Sequence, residues 1–268
     1  MPILERQRQR IFYEVSGSGP AVVLGHSLLC SGEMWEGQVP ALAESYRVVN
    51  IDYRGHGKSG TVERDFTLYD LVDDTVAILD EQGINRAAWV GLSIGGMISL
   101  RAALTVPERV GALIVAGASA AAEPFYPRFK YRVLGLGARL VGMRPFVSPI
   151  EAIMFGQSTL QGNRPLVDEW IPSVLSMDLP SILRCLEATV TRDSLLHRLQ
   201  EIEVPTLVFA GEEDRAQPVS MSEEIANGIF GSRLEIIPGA GHLSSLEQPE
   251  LVTRAMLDFL AGLDLTEH

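Results

Sequence analysis

The string Trp-Val-Gly-Leu-Ser-Ile-Gly-Gly at residues 89–96 restricts this chain more than any other feature. It sets Gly91-x-Ser93-x-Gly95 between a strand candidate, Ala87–Val90, and a helical segment running towards Leu104. A strand that becomes a helix within so few residues must fold back on itself. Ser93 then occupies a strained backbone position in a sharp turn, and only glycines two residues to either side leave room for the returning chain. The next amide, on Ile94, opens the helix, so an N–H without a helical partner and the positive end of the helix dipole face the serine hydroxyl. A bare Gly-x-Ser-x-Gly match occurs often by chance. The strand before it and the helix after it make the signal specific.

The surrounding sequence alternates in the same way. Ile11–Val15, Ala21–Leu24, Arg47–Asp52, Val110–Ala116, Thr206–Ala210 and Leu234–Ile237 read as further strands, and Ser-Gly-Ser-Gly-Pro between the first two reads as a hairpin-like turn. Several of these runs lack polar alternation, the pattern of a strand covered on both faces. Leu68, Leu71, Val72, Thr75, Val76 and Leu79 mark one face of a helix, with Asp70, Asp73, Asp74 and Asp80 off that face and Thr67 as N-cap. Val252, Ala255, Met256, Phe259 and Leu260 repeat the signature near the C-terminus. Strand–helix alternation predicts an α/β fold, a mainly parallel sheet with helices on both faces.

One stretch breaks the rhythm. From Pro124 to Arg198 no strand is evident, and helix-compatible pieces are separated by Pro145, Pro149, Pro165, Pro172 and Pro180. An insertion of that size predicts a helical cap over residues 124–198, set into a core domain of residues 1–123 and 199–268. The stretch holds nine Lys or Arg against six Asp or Glu, a net of +3, whereas the whole chain carries −12, which leaves −15 for the remainder. Its apolar bulk (Phe125, Tyr126, Phe129, Phe146, Met154, Phe155, Trp170, Met177) is expected to form mostly cap core, with part of it lining a pocket.

The acidic balance speaks against a nucleic-acid partner, whose binding rests on clustered cations. Cys30 and Cys185 cannot make a disulfide framework and fit a reducing compartment. The N-terminus, MPILERQRQR, has no apolar signal region, and the longest apolar stretch, around Gly111–Ala122, is too short to span a membrane. A cytoplasmic, soluble protein without a membrane partner is expected. Oligomeric state cannot be read from these features.

A serine hydroxyl is a weak nucleophile at neutral pH and needs a base and a group that orients the base. On a sheet of this kind the order along the chain is serine, acid, histidine. Of His26, His56, His197, His242 and His268, only His242 follows the last strand candidate and precedes the final helix. The acid should follow the preceding strand, where Gly211-Glu212-Glu213-Asp214 offers Asp214 at the loop tip. Glu212 and Glu213 are expected to be solvated. A second N–H for a developing oxyanion should come from the loop after Val22–Leu24, and the amide of Leu28 is the candidate, partnered by that of Ile94.

Gly-His-Ser at 25–27, Asp-Tyr-Arg-Gly-His-Gly-Lys-Ser at 52–59, Gly-Leu-Ser-Ile-Gly-Gly at 91–96, Gly-Glu-Glu-Asp at 211–214 and Gly-His-Leu at 241–243 together resemble the α/β-hydrolase fold superfamily. Within it the chain looks most like carboxylesterases and the 3-oxoadipate enol-lactonase group, notably at His-Leu-Ser-Ser-Leu-Glu-Gln-Pro, residues 242–249. The departure is His26-Ser27, where many relatives carry His-Gly. The resemblance implies an eight-stranded, mostly parallel sheet, a helical lid inserted before the acid-bearing strand, and a Ser93–His242–Asp214 triad. The expected reaction is hydrolysis of carboxylic ester bonds of small to medium substrates through an acyl-enzyme, with enol-lactone hydrolysis second. C–C bond or peracid chemistry and a non-catalytic ligand-binding role rank behind. Dehalogenases and epoxide hydrolases of this fold carry an aspartate where this chain has Ser93. No cofactor is called for, no metal-ligand spacing occurs, and Gly55-His56-Gly57-Lys58-Ser59 lacks the upstream glycine of a phosphate loop.

Overall fold

The computed structural model describes residues 2–265 of the chain; His268 lies outside the described residues. The strands are β1 (Ile3–Arg6), β2 (Gln9–Ser16), β3 (Ala21–Gly25), β4 (Arg47–Ile51), β5 (Ala87–Leu92), β6 (Val110–Ala116), β7 (Thr206–Gly211) and β8 (Arg233–Ile237). They form one sheet in the order β1-β2-β4-β3-β5-β6-β7-β8. The β1–β2 and β2–β4 pairs are antiparallel and every later pair is parallel. The eight-stranded, mostly parallel sheet is therefore as expected.

One strand lies outside the expected set, and one local reading is corrected. Ile3–Arg6 is a strand although ILERQRQR reads as polar chain: it pairs with β2 through a two-residue turn at Gln7 and Arg8, both at positive φ (52° and 66°). That geometry suits the twist of a hairpin, but neither residue is the Gly, Asn or Asp that announces such a turn in a sequence. Conversely, Ser-Gly-Ser-Gly-Pro makes no hairpin. β4 lies between β2 and β3, and Gly17 packs directly on the backbone of Ala43 and Tyr46 as the chain crosses over.

The helices are α1 (Val39–Ala43), α2 (Leu68–Glu81), α3 (Ile94–Thr105), α4 (Phe125–Val141), α5 (Val147–Met154), α6 (Gln157–Gly162), α7 (Arg164–Ser176), α8 (Leu179–Val190), α9 (Val219–Gly228), α10 (Ser244–Glu247) and α11 (Pro249–Ala261). Alternate residues of the central strands feed two buried apolar clusters. Val23, Val49, Trp89, Leu113 and Val208 meet α2, α3 and α9 on one face, and Leu24, Val48, Val90, Ile114 and Leu207 meet α1 and α11 on the other. Covering both faces explains why these strands read as unbroken apolar runs. α3 is largely apolar because it is buried from Ile94 to Ala103, and the one charge in that stretch, Arg101, is ion-paired with Asp193.

Thr67 caps α2 in a reciprocal capping box with Asp70. Asp74, expected on the solvent side, is instead buried and ion-paired with Arg54, which replaces solvent as its partner. α11 buries the five apolar residues its period marks. Between β6 and β7 the chain forms α4 to α8, with no strand among the described residues there.

Candidate active site

The turn after β5 is sharp. Ser93 has φ 57° and ψ −115°, a backbone region that costs a non-glycine residue on the order of 1–3 kcal/mol. The sheet holds it there: the Ser93 N–H donates to the Ala116 carbonyl at 2.8 Å. The flanking glycines are steric requirements. A Cβ on Gly91 would stand 2.1 Å from the Gly95 carbonyl carbon, and one on Gly95 would stand 2.3 Å from the Gly25 oxygen. Ile94, the first residue of α3, contributes an N–H that the helix leaves without a partner.

The close approach of Gly95 to Gly25 and His26 brings the loop after β3 beside this turn. Cys30 N–H donates to the Ser27 carbonyl at 3.1 Å and closes a four-residue turn with Leu29 at φ 63° and Leu28 at its crown. His26 governs the turn from below. Its Nε2 accepts the Tyr53 N–H at 2.8 Å, so its Nδ1–H donates to the Ser27 carbonyl, also at 2.8 Å. Burial lowers the His26 pKa to about 4 and keeps the ring neutral in that tautomer. His56, its ring tilted against that of His26 at 4.9 Å between centroids, is lowered to about 3 by burial and by its neighbour. Asp52 joins the same loops, accepting N–H bonds from Gly32 at 2.6 Å and Lys58 at 2.7 Å.

Asp214 and His242 meet beside Gly117, the residue that follows the acceptor of the Ser93 amide. His242 Nδ1 lies 2.9 Å from Asp214 Oδ2, and both side chains are buried. The second carboxylate oxygen accepts the N–H groups of Ala216 at 2.8 Å and Gln217 at 2.9 Å, which orients the carboxylate plane. Gly117 closes the arrangement at the end of β6. It follows Ala116, the acceptor of the Ser93 amide, and its α-carbon faces the Asp214–His242 pair. Four of the residues singled out by sequence (Ser93, Ile94, Asp214, His242) thus gather at the C-terminal ends of β5, β6, β7 and β8, with the Leu28 turn alongside after β3.

Several supporting residues carried no sequence signal of their role. Glu247 is buried and accepts three bonds: Oε1 from Gly241 N–H at 2.9 Å, and Oε2 from Gly156 N–H at 2.8 Å and Thr159 Oγ1 at 2.6 Å. Burial pushes its carboxyl up even though all three bonds favour the carboxylate. Glu213, expected to be solvated, accepts Ser158 N–H at 2.8 Å and Ser158 Oγ at 2.6 Å; these bonds hold its carboxyl below the usual range. Glu212 is exposed, as expected, while its Oε2 accepts the Gly239 N–H at 3.0 Å. The start of α6 is therefore pinned by one carboxylate from the Asp214 loop and one from the His242 loop. The sequence hints were that both lie within five residues of those two residues and inside the strings that carry the family resemblance.

The apolar residues of the inserted segment divide. Met154, Phe155 and Trp170 are buried together with Leu29 and Cys30 of the β3 loop, and the Phe155 and Trp170 rings meet edge to face at 5.3 Å. Phe125, Tyr126 and Phe129 point outwards, contrary to the expectation of a cap core, because α4 packs with its other face. Cys30 and Cys185 are buried free thiols, each pushed up to about 12 by burial and so inert.

A model of the alpha/beta hydrolase family matches residues 22–255. The chain is 28% identical to 3-oxoadipate enol-lactonase 1 of Acinetobacter baylyi over 97% of both chains. It is 30% identical to a Caulobacter sp. (strain K31) protein provisionally named carbamate hydrolase RutD, over 94% of this chain and 96% of that one. Among solved structures, a thermophilic esterase from Thermogutta terrifontis superposes with a TM-score of 0.90 at 25% identity, covering 95% of this chain and 94% of that one.

Proposed function

This chain belongs to the α/β hydrolase family, and from that premise we propose that it cleaves carboxylic ester bonds of small to medium substrates through an acyl-enzyme. In this reading Ser93 is the nucleophile, His242 the base and Asp214 the acid that orients it. The observation that carries the proposal is the placement of Ser93 on a strained turn whose amide is bonded to Ala116, while the adjoining Gly117 abuts the Asp214–His242 pair.

Ser93 Oγ attacks the substrate carbonyl as His242 Nε2 takes its proton. Asp214 stabilises the imidazolium and fixes its tautomer through Nδ1. The negative charge on the carbonyl oxygen rests on the N–H groups of Leu28 and Ile94, each such donor contributing about 3 kcal/mol of barrier lowering. Collapse expels the alcohol, which receives the proton from His242. Water, deprotonated by the same imidazole, then attacks the acyl-enzyme, and the carboxylic acid leaves as Ser93 regains its proton. Residues 124–198 serve as the cap over this site, set into a core of residues 1–123 and 199–268.

A second reading, hydrolysis of an enol-lactone, is favoured by the likeness to the Acinetobacter enol-lactonase and by the net +3 of the inserted segment against −15 elsewhere, which would draw in a carboxylate-bearing substrate. The deciding experiment compares wild type and Ser93→Ala on short and long p-nitrophenyl esters, an enol-lactone and a carbamate. Ester turnover that falls by about 10³-fold or more in the variant is the expected result. An equally active variant overturns the serine mechanism. A wild type slow on esters and fast on the lactone or the carbamate moves the assignment to that substrate.

A further inference from the structure

Among the described residues, eight of the thirteen large apolar side chains that stand exposed lie on one helix, α4. Their placement is ordered. At roughly 100° per residue, six of the eight (Phe125, Tyr126, Phe129, Val133, Leu136 and Leu140) fall within one arc of the helix surface, with Leu134 and Val141 outside it. Tyr131, Gly135 and Ala138, which turn towards the protein, fall on the opposite side, where Gly135 meets Leu183 of α8. The helix thus packs on the body with small residues and presents its largest apolar residues to solvent, the reverse of an ordinary surface helix.

Its charge is equally one-sided. α4 holds Arg128, Lys130, Arg132 and Arg139 and no acidic residue, in a chain of net charge −12. The helical spacing puts Lys130 on one flank of the apolar arc and Arg132 and Arg139 on the other. Arg132 is ion-paired with Glu187 of α8, whereas Lys130 and Arg139 stand exposed.

We infer that this outward face of α4 docks on an anionic lipid surface, lying flat with the apolar arc among the acyl chains and the flanking cations at the headgroups. An apolar arc bordered by Lys and Arg is the arrangement that binds at such an interface. Pairing with a second copy through the same face would set the exposed flanking cations Lys130 and Arg139 of one copy beside those of the other. The contact is with the surface only, since no helix among the described residues is long and apolar enough to cross a membrane.

The test is co-sedimentation of the full chain with vesicles of phosphatidylcholine alone and of phosphatidylcholine with about one-third phosphatidylglycerol. Binding is expected to the anionic vesicles, to weaken with added salt, and to fall by about tenfold or more in Phe125→Ser/Leu136→Ser/Leu140→Ser. Lys130→Gln/Arg139→Gln should weaken it by about fivefold per charge. Unchanged thermal transitions would show that the variants fold, since none of these side chains is buried. No binding to anionic vesicles, or equal and salt-insensitive binding to both kinds, overturns the inference. So does a concentration-dependent dimer in sedimentation velocity that the triple variant abolishes, because the face would then belong to a second copy.

Discussion

The α-carbon of Gly117 lies so close to the His242 ring that a Cβ there would stand 3.3 Å from Nδ1 and 3.1 Å from the Asp214 carboxylate. Gly117 also has φ 48°, a conformation that disfavours a side chain. Gly117→Ala should therefore push the Asp214–His242 pair out of place and cost about 1–2 kcal/mol of stability through backbone strain. A fall in kcat of about tenfold or more with a folded protein is expected, measured on whichever ester the wild type turns over. Wild-type kcat in the variant would show that the pair tolerates displacement.

Glu247 links the residue before His242 to the start of α6 through three accepted bonds. Glu247→Gln keeps the size but leaves only one acceptor oxygen, so an amide donor must face either Gly241 N–H or the Gly156 and Thr159 pair. The variant should melt lower by about 1–3 kcal/mol equivalent. If Gly241 is the group released, kcat falls more than KM rises, because the His242 loop shifts. Thermal melts and steady-state kinetics together check this, and an unchanged melting temperature would mean that the three bonds are replaced by water without loss.

Stability should fall on mild acidification, with His26 as one cause. Its folded pKa is about 4 against an ordinary 6.5, so below 6.5 the unfolded chain takes up a proton that the folded chain refuses. The stability this group contributes is whole above 6.5 and is lost as pH falls towards 4, by on the order of 3 kcal/mol. His56, lowered to about 3, extends the loss further into acid. Urea unfolding across this range should show midpoints dropping steadily below pH 6.5. A flat profile between pH 6.5 and 4 would show that the two rings are protonated in the folded state.

Much of this architecture can be read along the chain because its signals are local. The Gly91-Ser93-Gly95 spacing, the Thr67–Asp70 cap and the period of α11 depend on residues within a few positions of each other, and each appears as read. β1 escaped because its hairpin turn uses Gln7 and Arg8, whose positive φ is stabilised by strand pairing rather than by residue type. Asp74 was misplaced because the buried Arg54 that pairs with it comes from a loop twenty residues away.

The sequence by itself determined the strand–helix alternation, the sharp turn at Ser93, and the chain order in which Asp214 and His242 follow the last two strands, since steric exclusion and hydrophobic period act between near neighbours. Tertiary structure alone decided the rest. The insertion of β4 between β2 and β3, the neutral tautomer of His26, and the clamp of Glu213 and Glu247 on α6 depend on residues distant in the chain. So does the outward turn of the apolar face of α4: a helical period fixes which residues share a face, but only the neighbouring α8 decides which face is buried.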